Sequence, residues 1–249
     1  MTDWPYPRWI AHRGAGKLAP ENTLAAFRLG ASHGYRAFEC DVKLSADGVP
    51  FLLHDSALER TTSGQGAAGA QAWSALSQLD AGGWHSRGYA GEPPPTFEAI
   101  ARYCLRNGHA LNVEIKPSPG VERHTGVVVA QAAERLWSGQ PVQPLLTSFD
   151  LPALEGARDG APALPRGLLL DELRDSWLAE AQALACVAVV TNHRLMDEQL
   201  IGRIRAAGMR ALVYTVNDAA EARRLVAIGI DGLITDAVDR FSPADAVLD

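Results

Sequence analysis

The chain has little sulfur chemistry available to it. Three cysteines, Cys40, Cys104 and Cys186, are spread over 249 residues, with no CxxC pair and no HxH pair among the histidines. That number and spacing argue against a disulfide framework and against a thiolate or histidine zinc site. They leave the three thiols as small buried apolar residues of a reducing compartment. A surplus of basic charge is also missing. The formal net charge is −6, and a phosphate backbone attracts the opposite sign, so no nucleic-acid partner is expected. No apolar run approaches the length of a membrane span. The opening MTDWPYPRWIAHRGA lacks the basic and apolar regions of a signal peptide, so a cytoplasmic location is expected. What remains is ordinary for a globular protein, 47% hydrophobic and 21% charged, and long enough to bury one large core.

Short apolar runs alternate with amphipathic ones along the chain. WIA (9–11), AFECDVK (37–43), HALNVEI (109–115), PLLTSF (144–149), PRGLLL (165–170), CVAVV (186–190), MRALVY (209–214) and DGLIT (231–235) read as eight strands. PFLL (50–53) extends the second across the Asp47-Gly48 turn. Helical patterns lie between them, including TFEAIARYCLRN, GVVVAQAAERLW, DSWLAEAQAL, DEQLIGRIRAAG and DAAEARRLVAIG. Another helix is expected to open at Pro20-Glu21-Asn22-Thr23 and close at Gly34. Eight strands separated by helices predict an α/β fold, a (β/α)₈ TIM barrel, over a single domain spanning 1–249. Residues 56–95 break the rhythm as a small Gly/Pro-rich insertion with one helical stretch, QAWSALSQL. The expectation is an excursion over one barrel mouth, serving as a lid or a homo-oligomer contact.

One strand carries an expense that needs an explanation. In FECDV (38–42) the side chains alternate, so Glu39 and Asp41 point to the same face about 7 Å apart. Two acids withdrawn from water on one face repel each other and need a partner. In a parallel barrel the chemistry gathers at the C-terminal strand ends, where the chain places His12-Arg13, His54-Asp55, Ser148-Phe149, Tyr214 to Asn217 and Thr235-Asp236. NVEIK puts Asn112, Glu114 and Lys116 on one side by the same alternation. Glu39, Asp41 and Glu114 are hard oxygen donors suited to one divalent cation, Mg²⁺ first and Ca²⁺ next. Arg13 and Lys116 then form a pocket for an oxyanion such as phosphate, and His12 and His54 are placed to exchange protons near neutral pH. Metal, cations and paired histidines point to phosphoryl chemistry without a covalent Ser or Cys.

Other features have plainer readings. Lys116 can simply pair with Glu114. His33, His85, His109, His124 and His193 are expected to have no role in the chemistry, Trp73, Trp84 and Tyr89 to pack the insertion, and Glu21 and Asn22 to start a helix. Gly14-Ala15-Gly16-Lys17-Leu18-Ala19 mimics a dinucleotide-binding turn. The helix, however, begins too late for Gly16 to stand at its N-terminus, and Glu39 does not end its strand.

The ordered series AHRG, PENTLAAF, FECDVKLSADG, HDSALERTTSGQG, PPPTFEAI, NVEIK, TSFD, YTVN and DGLITD resembles the glycerophosphodiester phosphodiesterase family, in its compact cytoplasmic bacterial form. The resemblance runs almost end to end. It implies a TIM barrel with an insertion after the second strand. By position it implies that Glu39, Asp41 and Glu114 hold the divalent metal (Mn²⁺ being a further alternative). His12 and His54 would then serve as general acid and base, and Arg13 and Lys116 as phosphate contacts. Phe149 and Tyr214 would line the substrate, with Tyr214 where that family usually has Trp, and Ser45 stands where Thr is common. The implied reaction is hydrolysis of a small-molecule glycerophosphodiester, such as glycerophosphocholine or glycerophosphoethanolamine, to sn-glycerol 3-phosphate and an alcohol. The attacking group is either water or the substrate's own 2-hydroxyl.

Overall fold

The computed structural model describes residues 4–243; the expected domain's first three and last six positions lie outside the described residues. The order of elements is β1 (Trp9–Ala11), α1 (Leu24–Ser32), β2 (Ala37–Leu44), β3 (Pro50–Leu52), α2 (Trp73–Leu76), α3 (Phe97–Asn107), β4 (Ala110–Ile115), α4 (Glu122–Leu136) and β5 (Leu145–Ser148). Then come α5 (Leu151–Gly160), β6 (Arg166–Leu170), α6 (Trp177–Ala183), β7 (Ala188–Asn192), α7 (Glu198–Ala206), β8 (Arg210–Tyr214), α8 (Ala219–Ala227) and β9 (Gly232–Thr235). Eight strands pair in parallel in the order β1-β9-β8-β7-β6-β5-β4-β2, and the β1–β2 pairing at Ala11 and Phe38 closes the ring. The fold is a TIM barrel. β3 adds an antiparallel flap to β2, with Val42 opposite Leu52.

Strand alternation sorts the interior by height. Ile10, Ala37, Leu145, Leu169, Ala188, Val190, Leu212 and Ile234 form an apolar plug inside the barrel. Two residues further along several of these strands the same inward face turns polar: His12 after Ile10, Glu39 after Ala37 (with Asp41 two beyond it), Tyr214 after Leu212, Asp236 after Ile234. The outward faces meet the helices in the larger core, with Phe38, Cys40, Val42, Leu111, Val113 and Val213 among its members.

Two expectations about helices change. α1 starts at Leu24, with Thr23 as its N-cap accepting from the Ala26 N–H at 3.2 Å. Pro20, Glu21 and Asn22 therefore belong to the preceding turn and not to the first helical turn. α5 is not among the helices expected from the sequence; it packs on α4 through a largely small face of Ala153, Leu154, Gly156 and Ala157. A Cβ on Gly126 would lie 1.9 Å from the Ala153 carbonyl oxygen, and one on Gly156 would lie 2.1 Å from that of Arg123. The two backbones touch through glycine, so packing overrides low helix propensity.

The insertion has its own small core of Phe51, Leu53, Leu58, Ala68 and Leu76, with Trp73 and Leu79 against it. Its helix is only Trp73–Leu76, shorter than the expected QAWSALSQL. It leans on the β1–α1 turn: His85 Nε2 reaches the Lys17 carbonyl at 3.0 Å, and Glu92 accepts from the Ala25 N–H at 3.0 Å. Trp73 packs on Phe51. Trp84, expected to be packed, is 41% exposed, with its edge toward His85.

Candidate active site

At the C-terminal mouth a cavity of about 450 Å³ is lined by His12, Arg13, Glu39, His54, Asn112, Glu114, Lys116, Phe149, Asp171 and Tyr214, among others. Residues 56–95 contribute none of this lining. Asp41 is fully buried just behind it.

The acids converge because of register. Glu39 pairs with Asn112 and Asp41 with Glu114 across β2 and β4, so neighbouring strands deliver their carboxylates side by side. One ligand atom from each of Glu39, Asp41 and Glu114 lies within 4.8 Å of the others. Burial first, then the charge of Asp41, raises the pKa of both Glu39 and Glu114. For Asp41 burial acts in the same sense, but Arg13 and Lys116 hold the carboxyl down. Two buried oxygens, Glu39 Oε1 and Asp41 Oδ1, accept no hydrogen bond among the described residues. A divalent cation fits this set on its donor chemistry, since both oxygens without a hydrogen bond and the Glu114 carboxyl are hard, adjacent oxygen donors.

Around the acids the two histidines are held in the same manner. His12 follows β1, and its Nδ1 lies 2.6 Å from Asp236 Oδ1. Asn217 fixes Asp236 by donating to Oδ2 at 3.0 Å and accepting the Asp236 N–H at 2.9 Å. His54 Nδ1 lies 2.6 Å from Asp55 Oδ1. A carboxylate on Nδ1 fixes the tautomer and leaves Nε2 for the pocket. His12 Nε2 is 3.8 Å from Glu39 Oε2. Burial pulls the His12 pKa down, but the Asp236 hydrogen bond and the Glu39 charge outweigh it, so the net shift is upward. Burial lowers that of His54.

Arg13 sits at φ 51° and Asn22 at φ 59°, in the left-handed region. Such residues need a surrounding network to hold them, and here it is built from the acids. The Arg13 N–H donates to Glu39 Oε2 at 3.0 Å, its Nη1 to Glu21 at 2.9 Å, and its Nε lies 3.1 Å from Asp41 Oδ2. Asn22 donates to Asp41 Oδ2 at 2.7 Å and accepts the Asp41 N–H at 3.1 Å. Gly16 is needed for the same turn: a Cβ there would lie 2.1 Å from the Asp236 carbonyl oxygen. α1 begins eight residues later, at Leu24, so the dinucleotide-like pattern is a barrel turn. On the other wall Lys116 Nζ is 2.8 Å from Glu114 Oε1 and 3.6 Å from Asp41 Oδ1, and 5.8 Å from the Phe149 ring centre. Phe149 meets Tyr214 edge-on at 5.7 Å, and the Tyr214 hydroxyl lies 3.1 Å from the Leu170 carbonyl oxygen.

The sequence signal missed several members of this network. Glu21 and Asn22 read as helix-start chemistry, yet they contact Arg13 and Asp41. Arg60 carried no signal; it donates to both Glu21 and Asp55. Lys43 shares the parity of Glu39 and Asp41, which was the available clue. It is 1% exposed and donates to the His54 carbonyl at 3.2 Å, and burial pulls its pKa down to about 8.

The family described as "Glycerophosphoryl diester phosphodiesterase family" matches residues 12–240. A glycerophosphodiester phosphodiesterase of Caldanaerobacter subterraneus is 30% identical over 234 residues, 91% of this chain and 93% of that protein. A phosphodiesterase of Oleispira antarctica, solved in complex with the product sn-glycerol-3-phosphate, is 34% identical with a TM-score of 0.89. The similarity covers 94% of this chain and 95% of that one. A glycerophosphodiester phosphodiesterase of Agrobacterium tumefaciens is 28% identical with a TM-score of 0.82, covering 95% of this chain and 99% of the other.

Proposed function

Because the chain belongs to the glycerophosphoryl diester phosphodiesterase family, we propose that this enzyme hydrolyses small glycerophosphodiesters such as glycerophosphocholine and glycerophosphoethanolamine. The products are sn-glycerol 3-phosphate and the free alcohol. The observation that carries the reading is the meeting of two carboxylate-oriented imidazoles, two cations and three acids around one cavity.

Each group has work in this reaction. Glu39, Asp41 and Glu114 would hold one divalent ion, Mg²⁺ in the first instance with Ca²⁺ or Mn²⁺ as substitutes. When bound, the ion supplies positive charge against the oxygens of the phosphodiester, usually the largest catalytic contribution. Arg13 and Lys116 flank the same space and grip a phosphoryl group, Arg13 through a planar fork and Lys116 as a point charge. His12 and His54 each present Nε2: one takes the proton of the attacking hydroxyl, the other returns a proton to the departing alkoxide. Phe149 and Tyr214 give the substrate carbons an apolar wall. The three buried thiols and the absence, among the described residues, of a helix long and apolar enough to cross a membrane support a cytoplasmic location for a single catalytic domain with its insertion at 56–95.

The test is release of sn-glycerol 3-phosphate from glycerophosphocholine, with Mg²⁺ and then after stripping with a chelator. The expected result is turnover that stops on chelation and returns with added ion. Undiminished turnover in metal-free protein would remove the ion from the reaction, and no product under any ion would remove the substrate class. Transfer of ¹⁸O from solvent into the first-formed product separates water attack from a cyclic phosphate route.

A further inference from the structure

Arg60 stands at the junction of two separate halves of the site. Its Nη1 and Nη2 donate to Glu21 Oε2 and Oε1 at 2.9 and 2.8 Å, and its Nη2 also donates to Asp55 Oδ1 at 3.0 Å. Its Nε closes the second fork on Asp55 Oδ2. Each carboxylate has a second customer inside the pocket: Glu21 takes Nη1 of Arg13, and Asp55 takes Nδ1 of His54. One guanidinium thus links Arg13, on the β1–α1 turn, to His54, beyond β3, two groups 41 positions apart in the chain.

We propose that Arg60 is a positioning residue that sets the aim of Arg13 and His54 together; the inference rests on the functional reading above. The physical case is one of shape. A planar guanidinium offers five N–H donors in a fixed fork and can engage two carboxylates bidentately, which an ammonium cannot. Without it, Glu21 and Asp55 lose their shared cation. Glu21 then has only Arg13 to bind, and Asp55 only His54, and nothing ties the two carboxylates in one frame. Arg60 lies outside the pocket lining, so it acts through these two acids and not on substrate. It also gives the insertion a task distinct from covering the mouth, since residues 56–95 supply this clamp to the rim.

Because the Arg60 side chain is 45% exposed, its place can be refilled from solution. The experiment compares the Mg²⁺-loaded parent with R60A and R60K on glycerophosphocholine, alone and with millimolar guanidinium or methylammonium chloride, alongside thermal melts. A misplacement on the ångström scale costs about 100-fold, so R60A is expected to lose about that much kcat/KM. Guanidinium should recover about a tenth of the parent rate and methylammonium none, with R60K remaining slow. If R60A does not fold, the slow but folded R60K carries the result. Parent-like kinetics in R60A or R60K, or a loss in R60A that guanidinium leaves untouched, overturns the clamp. A parent inert toward the diester with every ion instead overturns the functional reading itself.

Discussion

At the scale of single residues, the site is a set of buried charges each held by a named neighbour. Replacing His12 or His54 with Ala should reduce kcat by about 10²–10⁴-fold, the usual worth of a positioned acid or base. The melting midpoint should move little, because both rings face the cavity; stopped assays and circular dichroism check the two halves of that statement. The acids were legible from period-two alternation alone: Glu39 and Asp41 share a face wherever residues 38–42 form a strand. Asn22 and Glu21 were not legible. Their partners lie 19 and 39 residues away, at Asp41 and Arg60, and a Pro-Glu-Asn-Thr run looks the same whether it opens a helix or precedes one. Local chemistry reports local structure, and these two residues owe their conformations to distant groups.

At the scale of elements, α8 is fastened to the loop after β7 by charge. Glu221 accepts from Arg224 at 2.7 Å and lies 2.8 Å from His193 Nδ1. The Arg224 hydrogen bond, opposed by partial burial and aided by His193, lowers the Glu221 pKa to about 2. A carboxyl whose folded pKa is depressed stabilises the fold above its unfolded pKa, and that stabilisation is lost as pH falls from about 4.5 toward 2. E221Q should therefore melt lower than the parent at pH 6 and converge with it in acid. A second element-scale case is the α4–α5 contact. G126A places a methyl where the Ala153 carbonyl sits, and overpacking of this kind costs about 1–3 kcal/mol; chemical denaturation would show it as a lower midpoint. The α5 helix is not read from the sequence because its two glycines lower helix propensity and its buried face carries one large side chain, Leu154, among small ones. The eight strands and the other helices followed from periodicity because apolar residues recur on their buried faces, even where, as in α4, most of them are small.

For the whole molecule, the proposed ion site among Glu39, Asp41 and Glu114 would couple metal to stability. Glu39 and Glu114 are buried acids whose pKa values are raised in the metal-free fold, by burial first and by Asp41 next. A raised acid favours the fold while protonated, so this contribution is full at low pH and is lost as pH rises through the folded pKa. In chelator the melting temperature should fall as pH goes from weakly acidic to alkaline. If the proposed site is the ion's, added Mg²⁺ should bind the folded chain alone and reverse the fall, by about 2.7 kcal/mol at a hundredfold excess over Kd. A metal-free melting temperature flat in pH, or unmoved by ions, would contradict this coupling.

The apolar plug beneath the acids has a kinetic corollary. With Ile10, Leu145, Leu169, Val190 and Leu212 filling the barrel floor, that end is closed among the described residues, and in the proposed reaction both fragments of a cleaved diester would leave by the mouth where the intact molecule entered. In that proposed reaction the alcohol, lacking the phosphoryl group that Arg13 and Lys116 would hold, would depart first. The phosphorylated glycerol, which Arg13 and Lys116 would hold, would depart last and occupy the threshold that the next molecule needs. Accumulating sn-glycerol 3-phosphate should then act as a competitive brake, whereas the liberated alcohol should not.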